Sequence, residues 1–179
     1  MGQAPQKVVS VQKTVPRLKR DRIIYCAPQK SSFVAKDLEI LGRSFEVQYF
    51  EFSGKGSWRF LWNVLRQTGF LLLQSIRAKS IVVMFGGNHS LVPALWAKVF
   101  GKRCFVILGG TDCVSYPSIG YGTFRSKVQG RMACATYRLS SRLLPVHESL
   151  IYRKETYYTQ DSLEQGCQYW CKGLKTPYT

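Results

Sequence analysis

After a polar and basic opening, short apolar runs alternate with longer stretches whose apolar residues recur at helical spacing. RIIYCAP (22–28) is an unbroken apolar run closed by Pro28, as expected of a strand buried on both faces. SSFVAKDLEILGRS follows, with serine at the cap position and Phe33, Leu38 and Leu41 on one helical face. The pair predicts a strand–helix unit. FEVQYFEF (45–52) alternates apolar and polar residues, which predicts a half-buried or edge strand, and SGKGS breaks it before the apolar and basic helix SWRFLWNVLRQTGFLLLQSIRAK (57–79).

The pattern then repeats. SIVVMFGG (80–87) predicts a third strand and NHSLVPALWAKVFGK a helix capped by Asn88, with Gly101 near its end. RCFVILGG (103–110) predicts a fourth strand and GTFRSKVQGRMACATYRLSSR a helix, while RLLPVHESL holds a short fifth strand that turns into a helix over ESLIYRKETYY. Strands that alternate with helices need crossover connections. The expected fold class is therefore α/β, a Rossmann-like parallel sheet with helices on both faces, in a single domain over 22–179. Residues 1–21 form a basic arm with no apolar core, expected to be disordered and not a secretory signal.

In such sheets ligands bind beyond the carboxyl ends of the strands, and the loops APQKSS, FGGNHS, GGTD and PVHES all fall there. These loops are expected to converge on one edge. The usual chemistries of such an edge are disfavoured by what the loops contain. CAPQKSSF after the first strand carries no glycine, so the G-x-G-x-x-G dinucleotide fingerprint is missing, and GKGS at 54–57 lacks the frame of a Walker loop. No G-x-S-x-G elbow is present, which disfavours a hydrolase. No cofactor is expected. The six cysteines do not recur at zinc-ligand spacing, so no metal is expected either, and they read as reduced, with Cys167 and Cys171 able to share a helix face.

Charge sharpens the picture. The formal net charge is +16, from 26 Lys+Arg against 10 Asp+Glu, which points to anionic partners. Between Gly54 and His147 stand thirteen Lys/Arg and a single acid, Asp112. At the mouth of the fourth strand this carboxylate has two readings. It can meet an acceptor hydroxyl in a cleft, or it can cap backbone N–H groups in a strand-end turn.

Lys30, Ser31 and Ser32 stand where a helix N-terminus attracts a phosphate, or simply caps itself. His89 can contact a ligand or act as acid or base, or be a cap or surface residue at a helix start, and His147 with Glu148 can line a cleft or begin a helix. In the 57–79 helix, Trp58, Arg59, Trp62 and Arg66 suit a membrane interface, while its other apolar residues suit packing on the sheet. Interior arginines and Asn63 make a spanning helix too costly.

The runs RIIYCAPQKSSFVAKDLEIL, SIVVMFGGNHSLVPALWAKVFGKRCFVILGGTDC and SSRLLPVHESL, in this order, resemble the N-terminal half of a bacterial family 4 retaining glycosyltransferase of GT-B fold. The likeness runs over roughly 22–179. It implies an acceptor-binding domain at the cytoplasmic face of the inner membrane, taking a glycan or lipid-linked acceptor. Asp112 would be the catalytic carboxylate, and Lys30, Ser31, Ser32, Gly86, Gly87, Asn88, His89, Gly109, Gly110, Thr111, His147 and Glu148 would line the acceptor site. The nucleotide-sugar site and its paired glutamates would belong to a second domain, expected after residue 179, so this chain alone is expected to have little transferase activity. Two rivals stand beside this reading. One is a basic nucleic-acid-binding module, disfavoured because the cations form no recognition motif. The other is a noncatalytic subunit that binds a separate donor domain.

Overall fold

The computed structural model describes residues 20–53, 56–155 and 164–179. Its first seven elements are β1 (Arg22–Ala27), α1 (Ser32–Gly42), β2 (Glu46–Glu51), α2 (Ser57–Ser75), β3 (Ala78–Met84), α3 (Leu91–Val99) and β4 (Arg103–Leu108). α4 (Lys127–Leu139), β5 (Arg142–Pro145), β6 (Arg153–Lys154), β7 (Glu164–Gln165) and α5 (Cys167–Trp170) complete the order. β1 to β5 pair in parallel in the order β2-β1-β3-β4-β5. The expected Rossmann-like α/β domain is what the chain forms, and β2, whose alternation reads as an edge, lies at the edge.

The two faces separate by the strand period of two. Ile24 and Cys26 point with Val83, Val106 and Leu143 into a core closed by Leu71 of α2, Ala94 of α3 and Ala133 of α4. Ile23, Tyr25 and Ala27 point the other way, onto Val34, Leu38 and Leu41 of α1. Beyond β5 the chain returns at 177–179: the Leu143 amide donates to the Pro177 carbonyl at 2.9 Å and the Thr179 amide to the Leu143 carbonyl at 3.2 Å.

Several expectations change. The helix expected over 148–158 is a single 3-10 turn at Glu148–Leu150, followed by β6 paired antiparallel with β7, and its last residues lie outside the described ones. α4 starts at Lys127, five residues later than the pattern suggests, because Ser126 takes the cap position and accepts from the Gln129 amide while Thr123–Arg125 form a 3-10 turn. Residues 1–19 of the expected arm, and Gly54 and Lys55 of the expected turn, lie outside the described residues. Arg20 and Asp21 are already tied to the domain, Arg20 donating to the Gly42 carbonyl and Asp21 pairing with Lys79 at 2.8 Å.

The cysteines are also corrected. Cys134 of α4 and Cys171 after α5 form a disulfide, their Cα atoms 5.3 Å apart across 37 residues, while Cys26, Cys104, Cys113 and Cys167 are buried free thiols. Apolar surroundings alone suggest reduced thiols. Only the packing of α5 on α4 brings this pair together.

Candidate functional site

The site is built where β1, β3 and β4 end. With the order 2-1-3-4-5, the connections after β1 and β3 leave towards opposite faces, and a crevice opens at their carboxyl ends. A cavity of about 750 Å³ fills it, lined by Pro28 after β1, residues 85–89 after β3, and Thr111 and Asp112 after β4. Phe52 after β2, Gly56 and Phe60 at the start of α2, and Thr123 and Gln129 before and within α4 complete the wall.

Asp112 holds these loops together. Its side chain is 1% exposed. Oδ2 accepts from the Gly86 amide at 2.9 Å and the Tyr137 hydroxyl at 3.0 Å, and Oδ1 accepts from the Gly109 and Gly110 amides at 3.1 Å each. The Tyr137 hydroxyl also lies 2.8 Å from the Asp112 carbonyl. Burial pushes the carboxyl above the usual range, while the Gly86 and Gly109 amides and the Tyr137 hydroxyl pull it back. Of its two sequence readings, the turn-capping one describes these contacts: every carboxylate lone pair direction in use meets a protein donor. Asp112 shares the cavity wall without offering it a free oxygen. We assign it as a positioning residue.

Glycines make the clamp possible. A Cβ on Gly86 would sit 2.3 Å from the Tyr137 hydroxyl oxygen, and one on Gly109 would sit 2.0 Å from the Phe85 ring. Phe85 itself has φ 67, a left-handed conformation that an aromatic residue adopts only when its surroundings enforce it. Here the Phe85 amide donates to the Ile107 carbonyl at 2.9 Å and the ring covers Gly109, so β3 and β4 lock the turn from both sides.

His89 is buried as well. Nε2 lies 2.7 Å from the Met84 carbonyl and so carries the proton, and the His89 carbonyl accepts from Gln67 Nε2 of α2 at 2.9 Å. Burial is the largest cause that lowers its pKa to about 4, outweighing the Met84 and Phe85 carbonyls, which favour the charged form. The imidazole is thus neutral at pH 7 and packed beneath the cavity. An unfolded imidazole takes its proton near pH 6.5, so as pH falls from about 6.5 to 4 the unfolded chain binds a proton that the folded one refuses. Stability contributed by His89 is complete above pH 6.5 and falls by up to about 3 kcal/mol by pH 4. Urea midpoints of wild type and His89→Gln at pH 7 and pH 4.5 measure this. The wild type is expected to lose more between the two pH values; equal losses would refute the assignment. The comparison isolates His89 from Asp112, whose raised pKa acts in the opposite sense.

Six sequence candidates therefore meet at the cavity, namely Gly86, Gly87, Asn88, His89, Thr111 and Asp112, with Gly109 and Gly110 just behind. Others fall elsewhere. Ser31 caps α1, accepting from the Val34 amide, and Lys30 and Ser32 are exposed beside it without lining the cavity. His147 and Glu148 line a different cavity of about 380 Å³ with Tyr152, Arg153 and Tyr178. All the loops share one edge of the sheet, but its width divides them. Pro28, Phe52, Phe60, Thr123, Gln129 and Tyr137 were not legible as site residues, although Pro28 and Phe52 ended runs that pointed to this edge.

α2 carries two apolar faces. Phe60, Val64, Phe70 and Leu71 pack on the sheet, while Trp58 (82% exposed), Leu61, Trp62 (61%), Leu65, Leu72, Leu73 and Ile76 face outward. Both readings of this helix have residues to carry them. Arg59 is exposed, whereas Arg66 turns back, donating to Asn63 Oδ1 at 3.1 Å with its guanidinium 5.4 Å from the Phe50 ring centroid. No described helix is long and apolar enough to cross a membrane. Among the described residues no group of three or more His, Cys, Asp or Glu is placed to hold a metal ion.

No family model matches the chain, and no curated protein matches it. Among solved structures the chain is similar to the UDP-GlcNAc 2-epimerase from Methanocaldococcus jannaschii, at 13% identity and TM-score 0.50, over 71% of this chain and 40% of that one. At such identity the likeness speaks for the fold alone. The chain spans 40% of that protein's length.

Proposed function

We propose that this domain binds the acceptor in a sugar-transfer enzyme of the family 4 glycosyltransferase kind, working at a membrane surface. The observation that carries this reading is the chemistry of the cavity wall. Phe52, Phe60 and Phe85 offer apolar ring surface, Asn88, Thr111, Thr123 and Gln129 offer amide and hydroxyl groups, and among the described residues no Lys or Arg takes part. In a protein of net charge +16, a wall whose described residues include no cation suits a neutral, hydroxyl-rich ligand rather than a phosphate. Asn88 Oδ1 is buried with no protein partner, an acceptor that a sugar hydroxyl would satisfy. The similarity to an enzyme named for UDP-GlcNAc agrees with a sugar-handling fold. The outward Trp58–Leu61–Trp62–Leu65 stripe, with Arg59 beside it, supports docking on anionic lipid.

Saturation-transfer NMR with a panel of neutral glycosides tests the cavity. Binding is expected for the wild type and at least about tenfold weaker for Asn88→Ala and Phe60→Ala, with little change in melting temperature for Asn88→Ala. No saturable binding to any member, or binding indifferent to both substitutions, would remove the sugar reading. In the same preparation, Trp58→Ser/Trp62→Ser is expected to reduce sedimentation with phosphatidylglycerol vesicles, and unchanged sedimentation would remove the membrane half of the proposal.

A further inference from the structure

A second cavity of about 540 Å³ runs along α4, on the other side of residues 123–130 from the first. Its chemistry is the opposite. Lys127, Arg131, Arg138 and Lys172 line it, over a wall made by Phe124 and Trp170. Lys127, Arg131 and Arg138 stand four and seven residues apart, so they share one face of the helix, and Lys172 reaches the same groove from the segment after α5.

Among the described residues, nothing acidic balances these charges. No Asp or Glu lines the cavity, none occurs in the sequence from 113 to 147, and the described ion pairs are made by Arg22, Arg43, Lys79 and Arg153. Four cations gathered at one concave surface repel one another, and a concave, partly apolar wall concentrates their field. The groove is nonetheless firmly built. The Phe124 and Trp170 rings stack at 5.5 Å with planes 12° apart, and Gly130 lets Phe124 lie against the helix, since a Cβ there would sit 2.9 Å from the ring. Trp170 Nε1 donates to Gln165 Oε1 at 3.0 Å, Arg138 donates to the Lys172 carbonyl at 3.0 Å, and the Cys134–Cys171 disulfide joins the two walls.

We propose that this groove is a binding site for a diphosphate-bearing ligand. Lys127 and Arg131 are one helical turn apart, about 6 Å, a spacing that serves two neighbouring phosphates. Lys127 also opens α4, where the positive end of the helix dipole adds to the same field. The charges border one short cavity beside an aromatic pair already stacked on itself, which favours a compact diphosphate over a polynucleotide that needs open rings for its bases. The site is independent of the sugar reading, because it shares no lining residue with the neutral cavity.

Calorimetric titration of the full chain with inorganic pyrophosphate tests it. One saturable site is expected, with affinity about a hundredfold lower in Lys127→Glu/Arg131→Glu, at about tenfold for each contact reversed. Arg77→Glu/Lys98→Glu, which changes the net charge equally at exposed positions outside the groove, is expected to leave the affinity within about twofold, and Asn88→Ala to leave it unchanged. If the glutamate pair does not fold, Lys127→Gln/Arg131→Gln makes the same comparison. No saturable binding, an equal loss in the control pair, or displacement of pyrophosphate by a single-stranded oligonucleotide at lower phosphate concentration would overturn the proposal. Vesicles containing phosphatidic acid distinguish the source. Weakened vesicle binding in the groove variant assigns the phosphates to a lipid headgroup, and unchanged vesicle binding beside lost pyrophosphate binding assigns them to a soluble ligand.

Discussion

Asp112→Ala is expected to lower the free energy of unfolding by about 3 kcal/mol, and Asp112→Asn by about 2 kcal/mol. Truncation to alanine leaves the buried Gly86 amide without its acceptor, loosens the Gly109 and Gly110 amides, and opens a void beside Tyr137. Asparagine is little better. Each carboxylate oxygen faces at least one backbone N–H, so whichever way the side-chain amide turns, its NH₂ meets at least one N–H. The Tyr137 hydroxyl softens the loss, because it can accept from that NH₂ while still donating to the Asp112 carbonyl. Urea unfolding of both variants measures the effect. Unchanged midpoints combined with lost glycoside binding would return the carboxylate to direct contact with a ligand, and would show that a buried, fully partnered acid can be rearranged at little cost.

Gly86→Ala strikes the same clamp from the other side. The added methyl would stand 2.3 Å from the Tyr137 oxygen and 2.4 Å from two ring carbons, and Tyr137 is fully buried and tied to Asp112 at both its carbonyl and its carboxylate. The ring cannot swing into solvent, so the loop or the ring must move and the hydrogen bonds go with it. The expected cost is about 3 kcal/mol, a fall in melting temperature of roughly 6–12 °C for a chain of this size. Gly69→Ala provides the contrast. Gly69 lies exposed inside α2 with nothing within 4 Å of the added carbon, so alanine there is expected to stabilise by about 0.5–1 kcal/mol. Calorimetric melting of both variants checks the pair; a Gly86→Ala protein as stable as Gly69→Ala would mean that the β3 loop is not held as described.

Much of this architecture was legible because it rests on local pattern. The unbroken apolar runs of β1, β3 and β4 suit strands covered on both faces of a parallel sheet, and the alternation of FEVQYFEF suits a half-buried or edge strand, which β2 is. The glycine-rich loops were legible as strand ends for the same reason. The two-faced apolar composition of α2 was legible too, since ten large apolar side chains exceed what one helix face can bury.

Where the reading went astray, the deciding partner was distant in sequence. Asp112 looks like an acid alone in a positive field, yet its field is set by three glycine amides and by Tyr137, 25 residues downstream. His89 looks like a helix-start residue, yet Gln67 and the Met84 carbonyl bury it. The expected helix after β5 ends after one turn because residues 153–154 pair with 164–165. Cys134 and Cys171 meet across 37 residues, and the same packing of α5 on α4 assembles the basic groove from Arg131 and Lys172. By itself, then, the sequence determined the α/β class, the succession of strands and helices, and the gathering of the strand-end loops at one edge of the sheet, because hydrophobic periodicity and turn residues act over a few positions. Which side chains share a cavity, which acid is already satisfied, and which cations gather in one groove were decided only by tertiary structure, since burial and hydrogen bonding depend on groups that the chain brings together from far apart.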